Sequence, residues 1–133
     1  MFVSPHLSRG VRLPAEGVES RTKALLITAA ALEKQAEDVL MLDVHAVSTI
    51  ADFFVIGTAG SVRQLSAILE HVERRLKEHG LAIGPTEGLS EAPPQWMLMD
   101  CGDVIIHLFD QDGRRFYRLE DLWADAPRLP LPA

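Results

Sequence analysis

Residues 96–109 decide the fold: Trp96-Met97-Leu98-Met99-Asp100-Cys101-Gly102-Asp103-Val104-Ile105-Ile106-His107-Leu108-Phe109. Two apolar runs flank Asp100-Cys101-Gly102-Asp103, where glycine supplies the backbone freedom of a tight turn, so the stretch reads as a β-hairpin. With Asp100 opposite Asp103, Leu98 falls opposite Ile105 and Trp96 opposite His107. Side chains alternate between faces along a strand. One face then carries Met97, Met99, Val104, Ile106 and Leu108. The other carries Trp96, Leu98, Ile105, His107 and Phe109, edged by the carboxylates of Asp100 and Asp103. A small domain with one core needs one apolar face. The second must be covered by the chain's own helices, by a second copy or by a different partner.

Working outward, a helix is expected from Ser20 or Thr22, with Leu25, Ala29, Leu32 and Ala36 at helical spacing. Val39–Val44 reads as a short buried strand and Phe53–Ile56 as another, bounded by Gly57 and Gly60. Ser61 with Gln64 three residues on is a capping-box signature. The helix it starts carries Val62, Leu65, Leu69, Val72 and Leu76 on one face and stops at Gly80. Leu81–Ile83 is a candidate strand, 84–95 an irregular loop, and Asp110-Gln111-Asp112-Gly113 a turn. Phe116–Trp123 reads as a last strand residue or two and a short helix. This order predicts an α/β protein, a single mixed β-sheet with helices packed on one face. The expected division is a loose leader over 1–19, one domain over 20–125 and a Pro-rich tail over 126–133.

The chain has 133 residues, 47% hydrophobic and 24% charged, enough for one domain that buries roughly two-thirds of its unfolded surface. Its formal net charge of −6 disfavours direct nucleic-acid binding, which needs a basic surface. An acidic domain can still join a nucleic-acid assembly by docking on one of its basic proteins. Cys101 is the single cysteine, so no intramolecular disulfide forms and a reducing compartment is expected. The N-terminus lacks the apolar run of a signal peptide. No segment reaches the ~18 apolar residues of a membrane span. The expected location is cytoplasmic.

Catalytic and metal chemistry find little support. The five histidines make no local pattern with Cys101, and His71 and His79 lie about 12 Å apart along one helix, too far to share an ion. Cys101 and His107 fall on opposite faces of the hairpin, which separates a would-be nucleophile from its base. Asp100 and Asp103 suit the turn they flank, because aspartate caps local backbone groups. The strongest enzyme-like signal is Gly57-Thr58-Ala59-Gly60-Ser61 between a strand and a helix, since helix starts can hold phosphate. It lacks the lysine of a P-loop. A nucleotidyltransferase would also need metal-binding carboxylates on the next strand, and Leu81–Ile83 has none. No catalytic residue, metal or cofactor is expected.

Several ordered motifs resemble one known family, the bacterial and organellar ribosomal silencing factors, also called the Iojap family. They are Asp43-Val44 followed by Ser48, Ala51-Asp52-Phe53-Phe54-Val55-Ile56, and Glu87-Gly88. Trp96 with Leu98 and Asp100 follows, then Gly102-Asp103-Val104-Ile105-Ile106-His107-Leu108-Phe109. Arg115-Phe116-Tyr117-Arg118-Leu119-Glu120 with Leu122-Trp123 completes the set. The resemblance covers residues 24–125. It departs at Cys101, where the family often has a larger residue such as Tyr, and over Leu89–Gln95, which is slightly longer here. It implies a nucleotidyltransferase-like topology without catalytic carboxylates. It also implies binding to the fourteenth protein of the large ribosomal subunit, which blocks joining of the small subunit and lowers translation when nutrients are short.

On that reading the contact residues are Trp96, Leu98, Asp100, Asp103, Ile105, His107 and Phe109, and the free protein is a homodimer through the same uncovered face. The alternative is a nucleotidyltransferase-like enzyme using the Gly60-Ser61 turn.

Overall fold

A strand that is buried at every position needs a cover on both of its faces. Phe53–Thr58 and Val104–Phe109 are such strands, and all twelve of their residues are buried. They pair in parallel at the centre of the sheet, Phe53 beside Val104 and Thr58 beside Phe109. The structure is a computed structural model that describes residues 20–81, 83–88 and 95–132. In chain order the elements are α1 (Ser20–Glu33), β1 (Glu37–Asp43), β2 (Phe53–Thr58), α2 (Val62–Glu78), β3 (Thr86–Gly88), β4 (Trp96–Asp100), β5 (Val104–Phe109), α3 (Gln111–Tyr117), α4 (Leu119–Leu122) and β6 (Arg128–Leu129). The sheet order is β3-β4-β5-β2-β1-β6. Among the described residues only the β2–β5 pair is parallel; the others are antiparallel. This is the single mixed sheet expected of the sequence.

Helices α1 and α2 pack on one face, over Met41, Phe53, Val55, Met99, Val104, Ile106 and Leu108. Helix α1 buries the small residues Ala24, Ala30 and Ala31 with Ile27, and also Lys23 and Thr28. The expected stripe of Leu25, Ala29 and Leu32 is only partly buried, one helical position round from the true face. In α2 the inward residues are Leu65, Ile68, Leu69, Val72 and Leu76. Val62, expected among them, is 46% exposed. The cap is as expected: Ser61 Oγ accepts from Gln64 N at 3.1 Å, and Gln64 Oε1 accepts from Gly60 N at 2.6 Å. Gly80, at φ 69°, ends the helix.

The hairpin exists, but its register differs from the expected one by two residues. Trp96 pairs with Phe109, Leu98 with His107 and Asp100 with Ile105. The turn therefore spans residues 101–104, and Cys101 N donates to Val104 O at 2.8 Å. A shift of two keeps every side chain on its face, so the two sets of residues are unchanged.

Three further expectations are corrected. The strand after α2 is Thr86–Gly88, paired with Met97–Met99, and not Leu81–Ile83. Asp110-Gln111-Asp112-Gly113 is no free turn: Asp110 caps α3 by accepting from Gly113 N at 2.6 Å. The C-terminal segment also re-enters the sheet, with Arg128 and Leu129 paired to Leu42 and Met41 of β1. The expected leader over 1–19 and most of the irregular loop, residues 89–94, lie outside the described residues.

Gly113 marks where α3 touches the hairpin. A Cβ there would overlap the carbonyl of Gln95, the group that accepts from Asp110 N. Gly113→Ala should destabilise the protein by about 2–3 kcal/mol, in the range of steric overpacking. A urea unfolding midpoint unchanged from wild type would show that α3 does not need this close approach.

Candidate functional site

The hairpin face left open by the sequence reading is closed by the chain itself. Leu98, Ile105 and Phe109 sit in a second core with Leu42, Val44, Ala51, Phe54 and Ile56, under a cover of Leu119 and Ala126. Tyr117, Trp123 and Trp96 pack at its margin, each partly buried. Two short helices and the turn that carries Ala126 thus do the work expected of a partner. Of the seven expected contact residues, Leu98, Asp100, Ile105, His107 and Phe109 are buried. Trp96 and Asp103 reach solvent in part, and they lie at opposite ends of β4 and its turn, roughly 16 Å apart along an extended strand. The seven do not form one accessible patch.

At the aromatic end, rings meet in a continuous series. Trp96 stacks on Phe109 (centroids 5.1 Å, 27°) and meets Tyr117 at 4.8 Å. Tyr117 meets Phe116 edge-on at 5.0 Å. On the other side Phe54 meets His107 at 4.8 Å and Trp123 at 5.1 Å, both near perpendicular. Offset and edge-to-face contacts of this kind satisfy the ring quadrupoles and add to burial. The Trp96 indole Nε1–H donates to His107 Nδ1 at 3.1 Å.

Arg114 pins the cover in place. Its Nε donates to both oxygens of Glu120 at 3.2 Å, and its Nη1 donates to Thr58 Oγ1 at 2.8 Å. One guanidinium therefore joins α3, α4 and the end of β2, a task for the fixed fork of arginine. The αL backbone of Arg118 (φ 48°) makes the sharp junction between the two helices.

At the turn end the chemistry is ionic. Lys23 reaches from α1, buried, and its Nζ donates to Asp103 Oδ1 at 2.7 Å and to Cys101 O at 2.9 Å. Asp100 Oδ1 accepts from Gly102 N at 3.0 Å, the turn-capping role expected of aspartate. Ser20 Oγ donates to Asp52 Oδ2 at 2.9 Å, and Asp52 N donates to Asp103 O at 2.7 Å. The start of α1, the entry to β2 and the hairpin turn are one linked unit, with Asp103 engaged inside the protein.

The features tested for catalysis have other uses. Ser61 Oγ and Gly60 N are engaged in capping α2. Burial pushes the Cys101 thiol up to about 12, so it is not a nucleophile at neutral pH. Cys101 and His107 belong to opposite faces, as expected. Among the described residues, no three His, Cys, Asp or Glu side chains are grouped to hold a metal ion. No described helix is long and apolar enough to cross a membrane.

What the sequence reading missed is on the outside of the cover. Phe116 is 77% and Leu122 76% exposed, on α3 and α4. The signal was present: Phe116 and Tyr117 are adjacent, and neighbours on a helix point about 100° apart. Only one of the two can enter the core, and Tyr117 does.

Two outcomes test this account. The unfolded chain protonates a histidine near 6.5, whereas burial lowers His107 to about 3. Between these values the unfolded state binds more protons, so stability rises with pH, is complete above about 6.5 and is lost as pH falls toward 3. At about 1.4 kcal/mol per pH unit, His107 should account for about 2 kcal/mol of lost stability between pH 7 and pH 5. Denaturant titrations of His107→Leu should show that much less pH dependence; equal slopes would mean the ring is not buried. Lys23→Met leaves Asp103 without its buried cation and should cost about 3 kcal/mol, read as a lowered urea midpoint at neutral pH.

A family model described as "Ribosomal silencing factor during starvation" matches residues 18–133. Ribosomal silencing factor RsfS of Bacillus subtilis is 42% identical over 111 residues, 82% of this chain and 92% of that protein. The chloroplastic protein Iojap of Arabidopsis thaliana is 35% identical over 117 residues, 88% of this chain and 48% of that one. Among solved structures, a Bacillus halodurans protein superposes with a TM-score of 0.67 at 36% identity, covering 80% of this chain and 94% of that one. A Chromobacterium violaceum protein gives 0.75 at 27%, covering 87% and 94%. With a family match across almost the whole described chain and relatives this similar, the chain belongs to the ribosomal silencing factor family.

Proposed function

We propose that this protein binds the large ribosomal subunit through its fourteenth protein, bars the small subunit from joining and so represses translation under nutrient limitation. It acts in the cytoplasm by occupancy, without catalysis, metal or cofactor. The observation that carries this reading is the exposure of two large apolar side chains on the cover, Phe116 of α3 and Leu122 of α4, with Phe116 linked through Tyr117 to the partly exposed Trp96. Large apolar side chains exposed on so small a domain mark an interaction surface. The net charge of −6 suits a basic ribosomal protein and repels bare RNA.

Trp96 is the proposed anchor, taken over from the expected contact set. Phe109 supports it from beneath, and Leu98 and Ile105 belong to the same second core. Aromatic anchors dominate binding energy, and truncating one typically removes 2 kcal/mol or more. Trp96→Ala should therefore weaken co-sedimentation with purified large subunits by about thirtyfold, and Leu122→Glu should weaken it too while leaving the fold intact. Wild-type affinity in both variants would sink the proposed contact.

The free protein is proposed to form a homodimer through the same apolar surface, so that dimer and ribosome compete. Leu98→Glu cannot test this, because Leu98 lies in the second core and a charge there would unfold the cover. Leu122→Glu can. Light scattering should show it shifted toward monomer as ribosome binding falls. A variant that stays dimeric while losing the ribosome would place the two contacts on separate surfaces.

A further inference from the structure

The hydrogen bond from Trp96 leaves the other side of the His107 ring in an unusual state. Nδ1 accepts the indole proton at 3.1 Å, so in a neutral imidazole the ring proton is on Nε2. That Nε2 is buried and has no hydrogen-bond partner among the described residues. A buried N–H without a partner is destabilising, and a leucine would fill this apolar face with no such penalty. Packing therefore does not account for the histidine. What imidazole does and leucine cannot is accept a hydrogen bond at a defined point under the indole.

That point matters because the stacking contacts of Trp96 with Phe109 and Tyr117 act on a different freedom. Phe109 stacks on the indole at 27° and Tyr117 leans on it at 51°. Both hold the plane of the ring, but a half-turn about the Cβ–Cγ bond keeps that plane and exchanges the two edges of the indole. A hydrogen bond at the Nε1 edge sets the in-plane orientation, and with it which edge of the ring meets solvent. We infer that His107 is a positioning residue for partner binding: it holds the Trp96 indole in the orientation in which the ring serves as the anchor of the contact. The inference rests on the contact proposed above and moves His107 from that surface to the layer beneath it. The neutral ring that the acceptor role requires is maintained at physiological pH by burial. Ordering one interface side chain in advance is worth roughly two- to tenfold in affinity.

The test uses the full chain, the variants His107→Leu and His107→Asn, and purified large ribosomal subunits. Asparagine places its Oδ1 close to where Nδ1 stood and keeps the acceptor. Nitrogen-15 NMR follows the two indole N–H resonances, with that of Trp96 assigned by its loss in Trp96→Phe. His107→Leu should move the Trp96 resonance, speed its exchange with solvent and weaken co-sedimentation two- to tenfold, while folding as well as wild type. His107→Asn should restore both. In a Trp96→Ala background His107→Leu should have no further effect.

A freed indole with unchanged binding would overturn the inference, as would equal weakening in the presence and absence of Trp96. If Trp96→Ala itself left binding intact, the proposed contact would fall and this inference with it. Loss in Trp96→Ala but not in His107→Leu overturns this inference alone. Should His107→Leu not fold, Trp96→Phe removes the donor and keeps a ring. It is expected to bind two- to tenfold more weakly, and wild-type binding would overturn the inference.

Discussion

The parallel pairing of β2 with β5 is the constraint on which the rest of this structure depends. Every side chain of both strands is buried, so neither face of the sheet centre can meet water. Each fully buried Ile, Val or Phe contributes about 1.5–3 kcal/mol relative to exposure, and loss of either cover would forfeit several of these at once. Two covers are therefore obligatory. The first is conventional, two long helices against one face. The second is built from seven residues of α3, four of α4 and the turn that carries Ala126.

So thin a cover needs fixing by specific bonds, because short helices have little stability of their own. Arg114 supplies most of the fixing, reaching both Glu120 and Thr58, and the Asp110 cap sets where α3 starts. Pairing of Arg128 and Leu129 with β1 anchors the far end. At the opposite end of the hairpin, Lys23 ties the turn to α1. The two ends differ in kind. The turn is locked by buried ionic bonds that point inward, while the other end is a stack of rings that runs out to the surface at Phe116.

Much of this was legible from the residues. The period of α2, its Ser61–Gln64 cap, the Gly80 stop and the hairpin with its two apolar faces all follow local rules, and local rules are what a single sequence displays. Register was harder. Shifting the β4–β5 pairing by two residues leaves each side chain on its face, so the hydrophobic pattern could not choose between the two pairings. The pairing was set by the backbone bond of Cys101 to Val104. The second cover was illegible for a different reason. Helices of seven and four residues are too short to show periodicity, and an Asp-Gln-Asp-Gly run looks like a turn whether or not a helix follows it. Reading that face as open placed Leu98, Ile105, His107 and Phe109 at the surface, whereas long-range packing put them in a core.

The misreading and the exposed residues have one cause. The element that hides the hairpin is amphipathic in the wrong sense for a simple lid: Tyr117 and Leu119 point in, while Phe116 and Leu122 point out. A lid that only needed to seal the core would carry polar residues on its outer side, as the outer face of α2 does. Retaining Phe116 and Leu122 in water brings no benefit to folding, and it raises the tendency to associate. Their presence on a segment clamped by Arg114 points to a rigid surface, ordered before any partner arrives. A binding surface of that kind loses little side-chain freedom on contact. The apolar face read from the hairpin thus acts through a second layer: the core residues set the position of the cover, and the cover presents the surface.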